Sequence, residues 1–144
     1  MIDINVLWGI ILVSVSLKCW IGQTIIALSP QLASTIRIMD KESELDTTFF
    51  ADMRGQAIWD AFTLWLLPVA GSLLIVNHAV WPYFGLIGGS IYLYFVGRNM
   101  VTRVLLHRHG ISIGRSPRKV MIYLFLWGII ACITIIFALQ TLYR

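Results

Sequence analysis

The chain has 144 residues, of which 58% are hydrophobic and 12% charged, and it carries a formal net charge of +4. Soluble domains average about 25% charged residues, so this balance, with a mean hydropathy of +0.81, excludes an ordinary soluble domain. No nucleic-acid partner is expected, and 144 residues leave no room for a separate domain beside membrane spans.

Four apolar stretches are predicted to cross a bilayer as helices, at residues 5–28, 58–76, 80–97 and 120–142. A hydrocarbon core of about 30 Å requires roughly 17–25 helical residues. Uninterrupted apolar runs such as 122–138 lack the period-two alternation of a barrel strand. The expected fold is therefore an all-α membrane protein. It has a single domain over residues 1–144, four transmembrane helices in a bundle, and a short interfacial amphipathic helix in the first connection.

The first stretch follows Met1-Ile2-Asp3-Ile4, which carries an acid and no base. A cleavable signal has a basic start, so this stretch reads as a retained span. Lys18 lies inside it and admits two readings. It marks a ligand or ion pathway, because intramembrane charges are costly, or it snorkels to an inner boundary near Gly22 and Gln23. Cys19 and Cys132 are too far apart in sequence for a local metal pair or a CxxC motif and read as small hydrophobes.

The first connection holds Arg37, Lys41 and Arg54 among Asp40, Glu42, Glu44 and Asp46. Leu45, Phe49 and Met53 follow at a spacing of four, which predicts an amphipathic helix lying on the membrane surface. Its acidic side would meet the basic third connection as a latch, present a partner surface, or simply be solvated. Asp60, just inside the second stretch, is expected to pair with Lys18, which would lower the cost of both charges. Pro68 removes a backbone donor and predicts a kink.

Pro82 opens the third stretch, where a missing N–H costs nothing. Beyond it, Arg98, Asn99, Thr102 and Arg103 alternate with apolar residues up to Gly110. This predicts that the helix continues past the membrane, with a Gly-bounded turn after it. The basic end is expected to meet anionic lipid headgroups. Ser116 and Pro117 are placed as N-cap and N1 of the fourth helix. His78 is expected on the opposite side from His107 and His109, an arrangement that argues against a shared haem or metal site.

Small residues punctuate these stretches: Gly71 in the second, Gly85 and Gly89 in the third, and Gly128 in the fourth. They let helix backbones approach closely. The contacts they make are either packing within one four-helix monomer or the face of a homo-oligomer or larger membrane complex.

Nine of the eleven Lys and Arg fall in the first and third connections. Basic loops are retained in the cytoplasm, so both termini are expected to face outward, in a bacterial cytoplasmic membrane. Trp8, Trp81, Tyr83 and Tyr143 sit near the predicted outer ends and Trp59 and Tyr123 near the inner ones, as interfacial aromatics do.

No GxSxG, HExxH, Walker A or dinucleotide motif is present, and no cofactor is implied. The layout of four spans, a charged first connection and a polar inner end on the third span resembles the MAPEG family of glutathione-using membrane enzymes. Arg54 stands where that family has the Arg of an R-x-x-x-N-x-x-E pattern. Ile58 and Ala61 stand in place of the Asn and Glu, Asp60 lies one position off, and Tyr92 and Tyr94 lie deeper than the family's inner-end tyrosines. The resemblance implies a glutathione site around Arg54, Asp60 and Arg98. Asp52-Met53-Arg54-Gly55 is also similar to a D-x-R-G segment of Mrp-type antiporter and related hydrogenase membrane subunits. The residues themselves favour a non-catalytic membrane subunit or interaction protein, acting through helix packing and cytoplasmic loop contacts. A MAPEG-like enzyme and a small channel or transporter subunit using Lys18 and Asp60 stand as alternatives.

Overall fold

The structure, a computed structural model, describes residues 3–114 and 117–143. Among them the chain is helical: α1 (Ile4–Leu28), α2 (Pro30–Thr35), α3 (Thr47–Thr63), α4 (Leu66–Ile75), α5 (Trp81–Arg108) and α6 (Pro117–Leu142), with one 3-10 turn at Glu42–Glu44. Three helical segments are long and apolar enough to cross a membrane: α1, the α3–α4 pair taken together, and α6. α5 is longer than α1, with 28 residues, but Gly97, Tyr92, Tyr94 and Arg98 make it less apolar.

The helices form a layered row. α1 packs on α3 and α4, α4 packs on α5, and α5 packs on α6. Lipid gives helices no hydrophobic reason to associate, so close backbone approach has to supply the contact. A Cβ on Gly9 would stand 2.8 Å from the carbonyl oxygen of Gly71, and one on Gly71 would stand 3.0 Å from that of Gly9. These two glycines are the α1–α4 crossing. Gly88 lies against the backbone of Leu66 and Leu67, Gly85 against Ala138, Gly89 against Ile135, and Gly128 against Val96. Each glycine singled out in the sequence thus faces a neighbouring helix of the same chain.

The outward surface inverts that of a soluble bundle. α6 buries Leu124, Ala131, Thr134 and Ala138 and exposes Ile122, Phe125, Leu126, Ile129, Ile133 and Ile136. So large an apolar face suits contact with lipid or with another apolar surface rather than with water. Hydroxyls in the spans satisfy themselves locally. Ser72 donates to the Pro68 carbonyl at 3.0 Å and Thr134 to that of Ile130 at 2.7 Å, as backbone and side-chain donors in lipid must.

Pro68 breaks the second long helix one turn upstream, between Thr63 and Leu66. Its ring offers no donor to the Leu64 carbonyl and crowds it. Carbonyls at the end of α3 lose their helical partners, and two indoles take their place. Trp20 donates to the carbonyl of Ala61 and Trp65 to that of Phe62, each at 2.8 Å.

The separate interfacial helix expected around Leu45, Phe49 and Met53 is not formed. Residues from Thr47 onward are the first turns of α3, capped by Asp46, which accepts from the N–H of Thr48 at 2.8 Å and of Phe49 at 3.2 Å. The apolar side of these turns is buried within the protein: Phe49 and Phe50 are covered, and the Arg103 guanidinium lies 5.2 Å over the Phe49 ring. The second long helix therefore begins well before residue 58. α5 does continue past residue 97, to Arg108, and closes with Gly110 at φ 72°. The N-cap expected at Ser116 lies outside the described residues, as do Arg115 and Arg144.

The two ends of the row differ. At one end, Asn5 donates to Asn77 at 2.7 Å and the Trp81 ring packs tilted against Phe137 with centroids 5.3 Å apart, so the start of α1 and the end of α6 lie on this side. At the other end the first and third connections meet. The Asp46 N–H donates to the Ser112 carbonyl at 3.3 Å, and the Ser112 hydroxyl donates to the Glu44 carbonyl at 3.1 Å. Arg103 is held there between the Phe49 ring and Asp40. Burial lowers its pKa, and the Asp40 charge opposes that shift.

Candidate functional site

Asp52, Gln56, Trp59 and Asp60 follow one another at four, three and one residues along α3, which places them on one face of the helix. Tyr94 and Arg98, four apart on α5, face them. Together with Gly55 they line an open cleft of about 320 Å³. Gly55 adds no side chain to this wall.

Arg98 closes the cleft at the end where the first and third connections meet. Its Nη2 lies 2.7 Å from Asp52 Oδ1, and its Nη1 donates to Gln56 Oε1. Both members of the ion pair are partly exposed. Asp60 lies deeper, is 5% exposed, and its Oδ2 has no hydrogen-bond partner among the described residues. Arg98 is the cation whose charge reaches it.

Behind Asp60 is a polar seam between α1 and α5. The Tyr92 hydroxyl donates to the Ser16 carbonyl at 2.9 Å. The Cys19 thiol contacts the same hydroxyl, and both groups feel the Asp60 charge. Tyr92 lies about 16 Å along α5 from Trp81 and Cys19 about 16 Å along α1 from Trp8, at 1.5 Å per residue. A carboxyl beside both lies that far from the Trp8 and Trp81 end of the bundle, about half the thickness of a hydrocarbon core of about 30 Å. Trp59 and Tyr94 flank the mouth, with 66% and 67% of their surfaces exposed.

Of the four polar residues singled out in the sequence, the structure brings Asp60 and Arg98 into one cleft. Lys18 is exposed on the outer side of α1, beside but not among the buried positions, and no ion pair joins it to Asp60 among the described residues. Arg54 is exposed and does not line the cleft, and Ile58 is exposed beside it. Of the residues to which the glutathione-enzyme resemblance points, Asp60, Arg98 and Tyr94 thus line the cleft and Arg54 does not. Asp52, Gln56, Trp59 and Tyr94 were not singled out as site residues, although the spacing of four that joins Asp52, Gln56 and Asp60 is visible in the sequence. His78 precedes α5 and His107 lies in its last turn, so the two stand at opposite ends of that helix.

Comparison of the chain with protein-family models, with curated proteins and with solved structures finds no match.

Proposed function

We propose that this chain is a four-span integral membrane protein that binds a small solute within the bilayer, as a transporter or channel component without catalysis of its own. The observation that carries this reading is Asp60: a covered carboxyl well inside the bundle, with an oxygen unpartnered among the described residues, opening onto a cleft. A charge there is expensive and is a functional feature by default. A carboxyl retained only for packing would have its oxygens matched by donors.

The fourth span is α5. It starts beside Phe137 and Asn77 at the end that holds the start of α1 and the end of α6, and it finishes beside the first connection at the other end. If α1, α3–α4 and α6 cross, α5 has to cross between them. Basic connections favour the cytoplasmic side, so the chain ends face outward from a bacterial cytoplasmic membrane, and Arg108, Arg118 and Lys119 meet anionic headgroups.

The test is labelling with dicyclohexylcarbodiimide, an apolar reagent that reaches carboxyl groups from the lipid. The full chain in native membranes is expected to carry the adduct on the peptide containing Asp60, and Asp60→Asn is expected to lose it. Absence of the adduct from Asp60 in the unaltered protein would overturn this reading.

A further inference from the structure

We propose that the cleft between α3 and α5 takes a lipophilic monocation: a quaternary ammonium, a phosphonium or a protonated amine carried on an apolar body. This deepens the reading above and rests on it. Four features of the cleft select that chemistry.

The first is charge. The cleft holds two carboxylates, Asp52 and Asp60, and one guanidinium, Arg98. Arg98 is engaged by Asp52 at 2.7 Å and by Gln56. With Asp60 ionised, one negative charge is left over on this deeper carboxyl, whose Oδ2 has no partner among the described residues. An anionic solute would meet two carboxylates and a cation already occupied. A monocation completes the balance. The neighbours on the other packed elements, Cys19 of α1 and Tyr92 of α5, supply no positive charge.

The second is the mouth. Trp59 from α3 and Tyr94 from α5 present exposed rings on either side of the opening. Aromatic faces attract weakly hydrated organic cations, and the attraction grows where water is excluded. An inorganic cation needs several oxygen ligands at short range. Here Arg98 already occupies Asp52 Oδ1 and the Gln56 carbonyl oxygen, which leaves the Asp60 carboxylate to meet a cation.

The third is size. At about 320 Å³ the cleft lies at the lower end of small-molecule sites. The fourth is access. Trp59 and Tyr94 belong to the outward surface of the helices, so the route in runs from the lipid, and a solute must partition there before it binds. A lipophilic cation does so.

The test uses the full chain purified in detergent, with tetraphenylphosphonium as the probe and equilibrium dialysis as the readout. Saturable binding of one probe per chain is expected. Asp60→Asn should weaken it at least tenfold, and Trp59→Leu several-fold. Tetraphenylborate, of the same shape and opposite charge, should not compete. If Asp60→Asn does not fold, Trp59→Leu decides, because that ring is on the surface. No saturable binding, unchanged affinity in Trp59→Leu, unchanged affinity in a folded Asp60→Asn, or equal competition by tetraphenylborate would each overturn the proposal. Failure of probe binding with Asp60 still labelled by carbodiimide removes the cation and leaves the site; failure of labelling removes the site itself.

Discussion

The Arg98 guanidinium is 2.7 Å from Asp52 and leaves the deeper Asp60 with a free oxygen. Coupling should follow that geometry. In a double-mutant cycle, Arg98→Gln and Asp52→Asn should interact by about 0.5–1 kcal/mol, the upper range for a partly exposed pair. Lys18→Met and Asp60→Asn should instead be additive to within about 0.5 kcal/mol, since the two residues share no contact. Thermal denaturation in detergent measures both. Strong coupling between Lys18 and Asp60 would mean that α1 is rotated relative to α3.

Two glycines on α5 should respond in opposite ways to the same methyl group. At Gly88 a Cβ would stand 2.9 Å from the Leu67 backbone nitrogen, whereas at Gly97 nothing lies within 4 Å. Gly88→Ala must push two backbones apart, at about 1–3 kcal/mol. Gly97→Ala meets no clash and gains helix propensity, up to about 1 kcal/mol. Equal melting temperatures for the two variants would remove the close contact between α4 and α5.

Much of this fold is legible in the sequence because lipid imposes a strong rule: any long apolar run must be a helix. Pro68 marks the break, and the polar–apolar alternation after Gly97 marks the extension of α5. What composition cannot convey is rotation about each helix axis. Lys18 and Cys19 are adjacent in sequence but about 100° apart around the helix. That angle separates an exposed lysine from the buried seam at Tyr92. The same limit hid the partners of Asp60, since the spacing of Asp52, Gln56 and Asp60 defines a face but not the helix it meets. The amphipathic pattern at Leu45, Phe49 and Met53 misled for a related reason. An apolar stripe covered by Arg103 and the third connection has the same spacing as one covered by lipid. Gly9 is one of two glycines in α1, and only its crossing with Gly71 sets it apart from Gly22.

The start of α3 depends on Asp46. Its carboxylate accepts from two N–H groups of the first turn, and its own N–H donates to Ser112. Asp46→Ala should cost about 1 kcal/mol through the lost cap. The backbone bond to Ser112 remains available, so the first connection should not detach completely. Limited proteolysis of the full chain in detergent should show modestly faster cleavage near residue 46. Cleavage unchanged from that of the unaltered chain would show that the cap does not hold this end of α3.

The orientation is open to a direct check. A reporter active only in the cytoplasm, fused after Arg144, should give no signal, and the same reporter inserted after Gly110 should give a strong one. The reverse pattern would invert the bundle. It would also place the basic third connection outside, against the rule that retains Lys and Arg in the cytoplasm.

The bond from the Trp20 indole to the Ala61 carbonyl exists because Pro68 breaks the helix there. Trp20→Phe keeps the ring and deletes the donor. In the unaltered background it should cost about 0.5–1.5 kcal/mol, the net contribution of one hydrogen bond. Pro68→Ala restores the missing backbone donor, so α3 and α4 can join into one helix and the carbonyls near residue 61 regain helical partners. Trp20→Phe should then cost less in the Pro68→Ala background than alone. Pro68→Ala should itself destabilise the protein, because a straight helix carries Leu66 and Leu67 away from Gly88. Amide exchange at residues 64–66 should slow in Pro68→Ala as the ladder closes. If Trp20→Phe costs the same in both backgrounds, the indole is serving a carbonyl that the proline does not control, and the break has another cause.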